Sequence, residues 1–164
     1  GKTTYMAVPP VAAPRPFWRL DPERLTEPPH RVASIKGAST HGEPISLDEM
    51  EPIDLVVCGS VAVDSAGARL GKGGGYSDLE FALAVENGLI RPSTKVVTTV
   101  HPSQVIDPGV IPMTEHDFPL DLIVTPDEVI VTETAMPRPG GVLDDHLDAE
   151  KRSAIPVLAR DGAG

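Results

Sequence analysis

The sequence predicts an α/β fold, with a mainly parallel sheet flanked by helices. Its apolar runs are continuous and rich in β-branched residues rather than alternating with polar ones, which is typical of strands covered on both faces. A helical segment lies between two of these runs, giving the strand–loop–helix–strand order of α/β proteins. At 164 residues the chain has the length of a single domain, 1–164, that can bury an apolar core.

Five segments are predicted as buried strands. Proline and glycine are frequent, with 18 and 15 residues, and they divide the chain into short elements. The apolar runs between the proline clusters are residues 3–8, 53–58 continued by 61–63, 95–100, 122–125 and 129–131. Residues 10–50 are rich in proline and polar side chains and carry only a weak strand or helix signal around residues 31–35.

One helix is clearly predicted, over residues 77–88. Ser77 is a capping-type residue, Asp78 places an acidic side chain in the first turn, and Gly88 is a natural left-handed end. The apolar stripe of this segment is wide, so we expect the helix to lie flat on a sheet. A second helix is predicted from about residue 143 to residue 158, where Pro156 limits its end.

The charge and aromatic content argue against several classes of binding protein. The formal net charge is −10 at pH 7, which disfavours general binding to nucleic acids or to a membrane surface. One Trp, two Tyr and three Phe are too few for an aromatic RNA-binding surface. Residues 1–40 carry six basic and three acidic side chains, and this sparse excess favours a small anionic ligand.

The single cysteine indicates a reduced, cytoplasmic protein. Cys58 lies in the apolar run IDLVVC, where we expect a small buried side chain rather than a reactive thiol. No apolar stretch approaches the roughly 18–20 residues of a membrane span, and no signal peptide opens the chain. The sequence starts abruptly at Gly1, so we expect a further segment upstream.

A glycine-rich loop, RLGKGGGYSD at residues 69–78, carries the strongest chemical signal. It follows a predicted strand and turn and leads directly into the predicted helix. Its glycines let the backbone N–H groups approach a ligand, and the helix N-terminus adds roughly half a positive charge, so the loop suits a phosphate. Lys72 and Arg69 supply full charges, whereas Asp78 would repel phosphate unless Mg²⁺ lies between them.

Alternative interpretations of the loop stay open. A flexible connector explains the glycines, and a first-turn helix residue explains Asp78. The loop does not match the dinucleotide-binding fingerprint, because Tyr76 stands where the last glycine is required. Gly1-Lys2-Thr3 resembles the end of a Walker A loop, but a strand-like segment follows it instead of a helix.

An acidic segment before the strand at 122–125 is the second candidate site. Glu115, His116, Asp117 and Asp121 are suited to metal binding or proton transfer, although composition alone favours a solvated acidic loop. His101 ends the strand at 95–100, where ligand crevices form in α/β sheets, although a structural role is the simpler interpretation.

The glycine loop resembles the RLGxGKGYYD signature of the 5-formyltetrahydrofolate cyclo-ligase family. The preceding segment IDLVVCGSVAVDSAG and the later EHDFPLDLIVTP support the resemblance, as does their separation. GSVAVDSAGARLGKGGGYSDLEFALAVENG is more similar still to the divergent branch of methenyltetrahydrofolate synthetase domain-containing proteins. The resemblance extends over essentially the whole chain and implies that the family's N-terminal helical region lies upstream of it.

The resemblance implies a three-layer α/β fold of the ribose-isomerase/CoA-transferase (NagB/RpiA-like) type and a reaction that needs ATP and Mg²⁺. In that reaction 5-formyltetrahydrofolate and ATP give 5,10-methenyltetrahydrofolate, ADP and phosphate. It also implies catalytic roles for Lys72 and Arg69, and Mg²⁺ contacts from Asp78 and Asp117. The implied ATP phosphate loop consists of Arg69, Leu70, Gly71, Lys72, Gly73, Gly74, Gly75, Tyr76 and Ser77.

Two residues of the loop depart from the family signature. The signature lysine is Gly74 here, and its second tyrosine is Ser77. Loss of this lysine removes a positive charge that would stabilise the transferred phosphoryl group. Lys72 could compensate for the loss only if its side chain reached the phosphate in a shifted pose. Two alternatives therefore stand beside the cyclo-ligase: a nucleotide-binding paralogue with another substrate, such as one of thiamine-related metabolism, and a non-catalytic binding module.

Overall fold

The structure is a computed structural model that describes residues 1–7 and 15–143. It divides into two compact units, Gly1–Met50 and Glu51–Val142. A single domain over 1–164 stays a prediction, and the helix predicted at 143–158 lies outside the described residues apart from its first position. No helix in the described ranges has the length and apolar composition needed to cross a membrane.

The first unit contains a small antiparallel sheet in the order β1-β2-β3. Its strands are β1 (Thr4–Ala7), β2 (Phe17–Leu20) and β3 (Glu43–Ile45). Two short helices, α1 (Pro29–Val32) and α2 (Ile35–His41), connect β2 to β3, and the Ser34 side chain caps α2 by accepting a hydrogen bond from Gly37 N. The strand predicted at 3–8 is therefore present, but it pairs in a hairpin and not in a parallel sheet.

The second unit is built on a four-stranded sheet in the order β10-β9-β7-β4. Strands β4, β7 and β9 are parallel, and β10 pairs antiparallel with β9. The strands are β4 (Ile53–Cys58), β7 (Ile90–Thr99), β9 (Leu122–Val124) and β10 (Val129–Val131). The prediction of an α/β protein is confirmed, and this sheet is mainly parallel. The described residues also form a separate antiparallel sheet and a second mixed sheet, so the parallel sheet is one of several.

A second, three-stranded sheet of this unit positions the glycine loop. Its order is β6-β5-β8, with β5 (Ala62–Asp64), β6 (Arg69–Leu70) and β8 (Val105–Ile106). The buried Asp64 carboxylate holds the β5–β6 turn by accepting hydrogen bonds from Ala66 N and Ala68 N, and it also accepts one from Gly109 N. These bonds hold the turn that leads into β6, where the glycine loop starts.

Helix α3 (Tyr76–Glu86) packs on the four-stranded sheet, and the helix predicted at 77–88 is confirmed. Phe81 of α3 lies in one core cluster with Val96 of β7 and Ile123 of β9. Strand residues outside this cluster are less covered than predicted. Leu55 and Val57 of β4 are 51% and 66% exposed, because α3 is the one α-helix in the described part of this unit.

Candidate glycine-loop site

The glycine loop lies at the carboxyl end of the parallel strands. Helix α3 leads through Gly88 into the start of β7 and packs beside it, so the two run in opposite directions. The charges of Arg69 and Asp78, on either side of the loop, act on Cys58 at the carboxyl end of β4. In α/β sheets, ligands bind at this edge.

Two glycines give the loop its shape. Gly73 and Gly75 have φ values of +85° and +65°, in the left-handed region that disfavours residues with a Cβ atom. Gly75 is the N-cap of α3, and no side chain in the described residues caps the helix there. The first-turn N–H groups are therefore presented at an exposed loop, as an anion site requires.

Arg69 and Asp78 form a buried ion pair beneath the loop. Arg69 Nη2 donates to Asp78 Oδ1, and the two side chains are only 3% and 13% exposed. Because the guanidinium neutralises the carboxylate, Asp78 does not place an uncompensated negative charge at the glycine loop.

Phe118 forms the other surface against which Arg69 packs. The Arg69 Cζ atom lies 3.9 Å from the centroid of the Phe118 ring, and Phe118 stacks on Phe81 with a centroid distance of 4.3 Å. Arg69 Nε is buried and has no hydrogen-bond partner within the described residues. The guanidinium thus depends on one carboxylate and one ring face.

Lys72 and Gly74 differ sharply in their surroundings. Lys72 is exposed, and the described part of the chain offers its ammonium group no hydrogen-bond or ion-pair partner. At Gly74, an added Cβ would lie 2.9 Å from Cδ2 of Tyr76, so the tyrosine ring covers the position where the resembled signature has lysine. Lys72 is the one lysine side chain that the loop itself offers to an anion.

The predicted metal contact Asp117 lies in a separate turn. Its Oδ2 accepts hydrogen bonds from Thr114 N and Thr114 Oγ1, both at 2.7 Å. The next residue in the sequence, Phe118, contacts Arg69. Asp117 is therefore bonded to a residue that touches the Arg69–Asp78 pair. Within the described ranges no group of three or more His, Cys, Asp or Glu residues is arranged to hold a metal ion.

Asp121 and His101 have structural roles. Asp121 Oδ2 accepts from Val96 N at 2.7 Å and from Arg138 Nη2 at 2.5 Å, which joins the strand entry to the segment after β10. His101 Nδ1 accepts from Ser103 N at 3.2 Å and caps a single 3₁₀ turn. Burial raises the pKa of the Cys58 thiol above its usual range, so Cys58 is not an activated nucleophile.

Glu80 is a titratable group of this site that the sequence analysis missed. Burial and the nearby negative charge of Asp78 raise its pKa from 4.5 to about 7. No hydrogen bond or ion pair of the described residues involves its carboxylate. The signal was available, because Glu80 stands between two buried residues of α3, Leu79 and Phe81.

A cavity of about 530 Å³ lies away from the loop. Ile90 and Arg91 at the start of β7 line it, together with Val85 near the end of α3. It therefore lies toward the amino end of the strand, and the glycine loop toward the carboxyl end.

Comparison with known proteins covers most of the chain. The model of the 5-formyltetrahydrofolate cyclo-ligase family matches residues 8–126. Methenyltetrahydrofolate synthase domain-containing protein of Mus musculus is 40% identical over 142 residues, 82% of this chain and 38% of that protein. The protein of the same name from Homo sapiens is also 40% identical over 142 residues, 82% of this chain and 37% of its own length.

A plant relative links the chain to proteins named for the reaction itself. 5-Formyltetrahydrofolate cyclo-ligase, mitochondrial, of Arabidopsis thaliana is 38% identical over 88 residues, 51% of this chain and 31% of that protein. The chain thus spans less than two fifths of the length of these relatives. The family match runs from before β2 to beyond β9 and includes the whole glycine loop. The chain therefore belongs to the 5-formyltetrahydrofolate cyclo-ligase family.

Proposed function

We propose that the chain is the nucleotide-binding part of an ATP- and Mg²⁺-dependent 5-formyltetrahydrofolate cyclo-ligase. The observation that carries this proposal is the exposed glycine loop, which enters an uncapped helix N-terminus at the carboxyl end of the parallel strands. The reduced folate is the second substrate, and its transformation is proposed for the whole protein. The three-layer ribose-isomerase/CoA-transferase arrangement belongs to the same proposal.

The residues at the loop fit a polyphosphate. The N–H groups from Gly71 to Ser77 are the proposed donors to the phosphate oxygens, and the left-handed conformations of Gly73 and Gly75 leave no Cβ in the way. Around Gly73 an added Cβ would meet nothing within 4 Å, so the space above the loop is open. Leu70 and Tyr76, both exposed, flank this space.

Lys72 and Arg69 have different roles in this proposal. Lys72 is exposed on the loop, and its charge would stabilise phosphoryl transfer at a bound phosphate. Arg69 is buried, and its bond to Asp78 orients that carboxylate at the first turn of α3. Its orphaned Nε donor is a further group that a bound anion near the loop would stabilise electrostatically.

Asp78 and Asp117 are the proposed carboxylate contacts for Mg²⁺. Their oxygens are the hard ligands that Mg²⁺ prefers, and Mg²⁺ usually takes one or two carboxylates together with phosphate oxygens and water. When bound, Mg²⁺ supplies charge neutralisation to the phosphates. Asp78 Oδ1 accepts the bond from Arg69, so its Oδ2 is the oxygen proposed as the Mg²⁺ contact.

A nucleotide-binding paralogue with another substrate is the second candidate. The observation that favours it is the Tyr76 ring over Gly74, which fills the place of the lysine in the family signature. Under this alternative the chain binds MgATP without folate turnover.

The cytoplasmic location also stays a prediction, since the plant relative carries a mitochondrial location in its name.

Two measurements on the longest available form of the protein test the proposal. MgATP should raise the melting temperature of the wild type, and Lys72→Ala should reduce this shift while Lys95→Ala, an exposed lysine on β7, should not. Incubation with 5-formyltetrahydrofolate and MgATP should produce the absorbance of the methenyl product. No thermal shift would refute nucleotide binding, and a shift without product would favour the paralogue.

A further inference from the structure

Phe118 lies at the centre of a stack that joins the core to the glycine loop. Its ring is 1% exposed and packs against Phe81 with an interplanar angle of 18°. The Arg69 guanidinium packs on the same ring at 3.9 Å. We propose that Phe118 is the positioning residue that holds Arg69 in place to orient Asp78 at the loop. This inference rests on the proposed function and adds a residue to its site.

The need for such a residue follows from the sparse bonding of Arg69. A buried guanidinium normally uses several of its five N–H donors, yet Arg69 Nε has no partner within the described residues. Asp78 is its one ion-pair partner there. A desolvated aromatic face attracts a guanidinium by a cation–π interaction, so the Phe118 ring compensates part of the missing hydrogen bonding.

The contact between Phe118 and Arg69 links two segments that are far apart in the sequence. Phe118 follows Asp117 in the segment before β9, whereas Arg69 and Asp78 are the first and last residues of the glycine loop. The ring therefore ties the segment that carries one proposed Mg²⁺ contact to the pair that carries the other. Removal of the ring should let the guanidinium move and should release Asp78 from its orientation.

The test compares Phe118→Leu with Phe81→Leu. Both residues are buried in the same core cluster, so both variants should lower the melting temperature by a similar amount. Only Phe118→Leu removes the ring face from Arg69. We expect it to weaken MgATP binding about tenfold relative to Phe81→Leu, which corresponds to about 1.4 kcal/mol. Equal MgATP affinity in the two folded variants would overturn the proposal.

A second readout does not depend on nucleotide binding. In the wild type, the Nε–H proton of Arg69 should show an NMR shift displaced by the Phe118 ring current and slow exchange with water. Phe118→Leu should lose both features, and Phe81→Leu should keep them. If the wild type fails to bind MgATP, the proposed function fails, while this comparison still decides the positioning role. An unchanged Arg69 resonance in Phe118→Leu would overturn it.

Discussion

The Arg69 guanidinium and the Asp78 carboxylate are bound to each other across the glycine loop. Arg69 is the first residue of the loop, on β6, and Asp78 is its last, in the first turn of α3, nine positions later. The pair closes the base of the loop, so the loop backbone is anchored at both ends while its glycines stay exposed.

Breaking this pair from either side should destabilise the protein strongly. Because both side chains are largely buried, Arg69→Met or Asp78→Asn each leaves an uncompensated polar group and should cost about 3–5 kcal/mol of unfolding free energy. The double variant should cost less than the sum of the two, as measured by urea denaturation.

The exposed pair of Arg15 and Glu49 is the matched control for this cycle. Its side chains are 52% and 37% exposed, so Arg15→Met should change the unfolding free energy much less than either variant of the buried pair. Additive effects of Arg69→Met and Asp78→Asn would show that the two side chains are not coupled.

Glu80 should make the stability depend on pH in an unusual direction. Its pKa is raised from 4.5 in the unfolded chain to about 7 in the fold, so the folded state binds the extra proton between these values. The contribution of Glu80 is therefore most favourable below pH 4.5 and is lost as the pH rises toward 7. Glu80→Gln should remove this loss and stabilise the protein at pH 8 by about 2 kcal/mol.

Thermal unfolding at pH 4 and pH 8 measures the Glu80 effect. Glu128→Gln is the control, since Glu128 is exposed on the turn between β9 and β10 and should change neither stability nor its pH dependence. A Glu80→Gln variant that follows the wild type at both pH values would contradict the raised pKa.

Gly74→Lys should test whether the missing lysine limits turnover. Gly74 does not have a positive φ, and the Tyr76 ring that a new Cβ would touch is half exposed, so the ring can rotate away. Stability should change by less than about 1 kcal/mol, and formation of the methenyl product should rise at least about tenfold.

Gly73→Lys is the matched control for that variant. Gly73 has a φ of +85°, so a lysine there places the same charge on a strained backbone and should cost about 1–2 kcal/mol. Product formation that is unchanged in Gly74→Lys would favour a paralogue with another substrate.

The sequence was sufficient for the local features of the site. The helix predicted at 77–88 from its first-turn acidic residue and its glycine end occupies 76–86. Four glycines within residues 71–75 predicted a loop whose backbone N–H groups can approach a ligand. Strand β6 was missed because it has two residues and exists through pairing with β5. The antiparallel pairing of β1 was also missed, because its partner β2 follows a proline-rich stretch with no strand signal.

The tertiary structure decided which charged side chains form ion pairs. The sequence of the EHDFPLD segment suggested a site formed by its carboxylates. In the structure, Phe118 is the side chain that contacts Arg69, and Asp121 pairs with Arg138. The amino-acid sequence alone determined the backbone conformations and the chain order, because glycine content, capping and β-branching act between near neighbours. The pairing of Arg69 with Asp78 and the burial of Glu80 depend on how the elements pack, and only the packed fold sets those distances and their electrostatics.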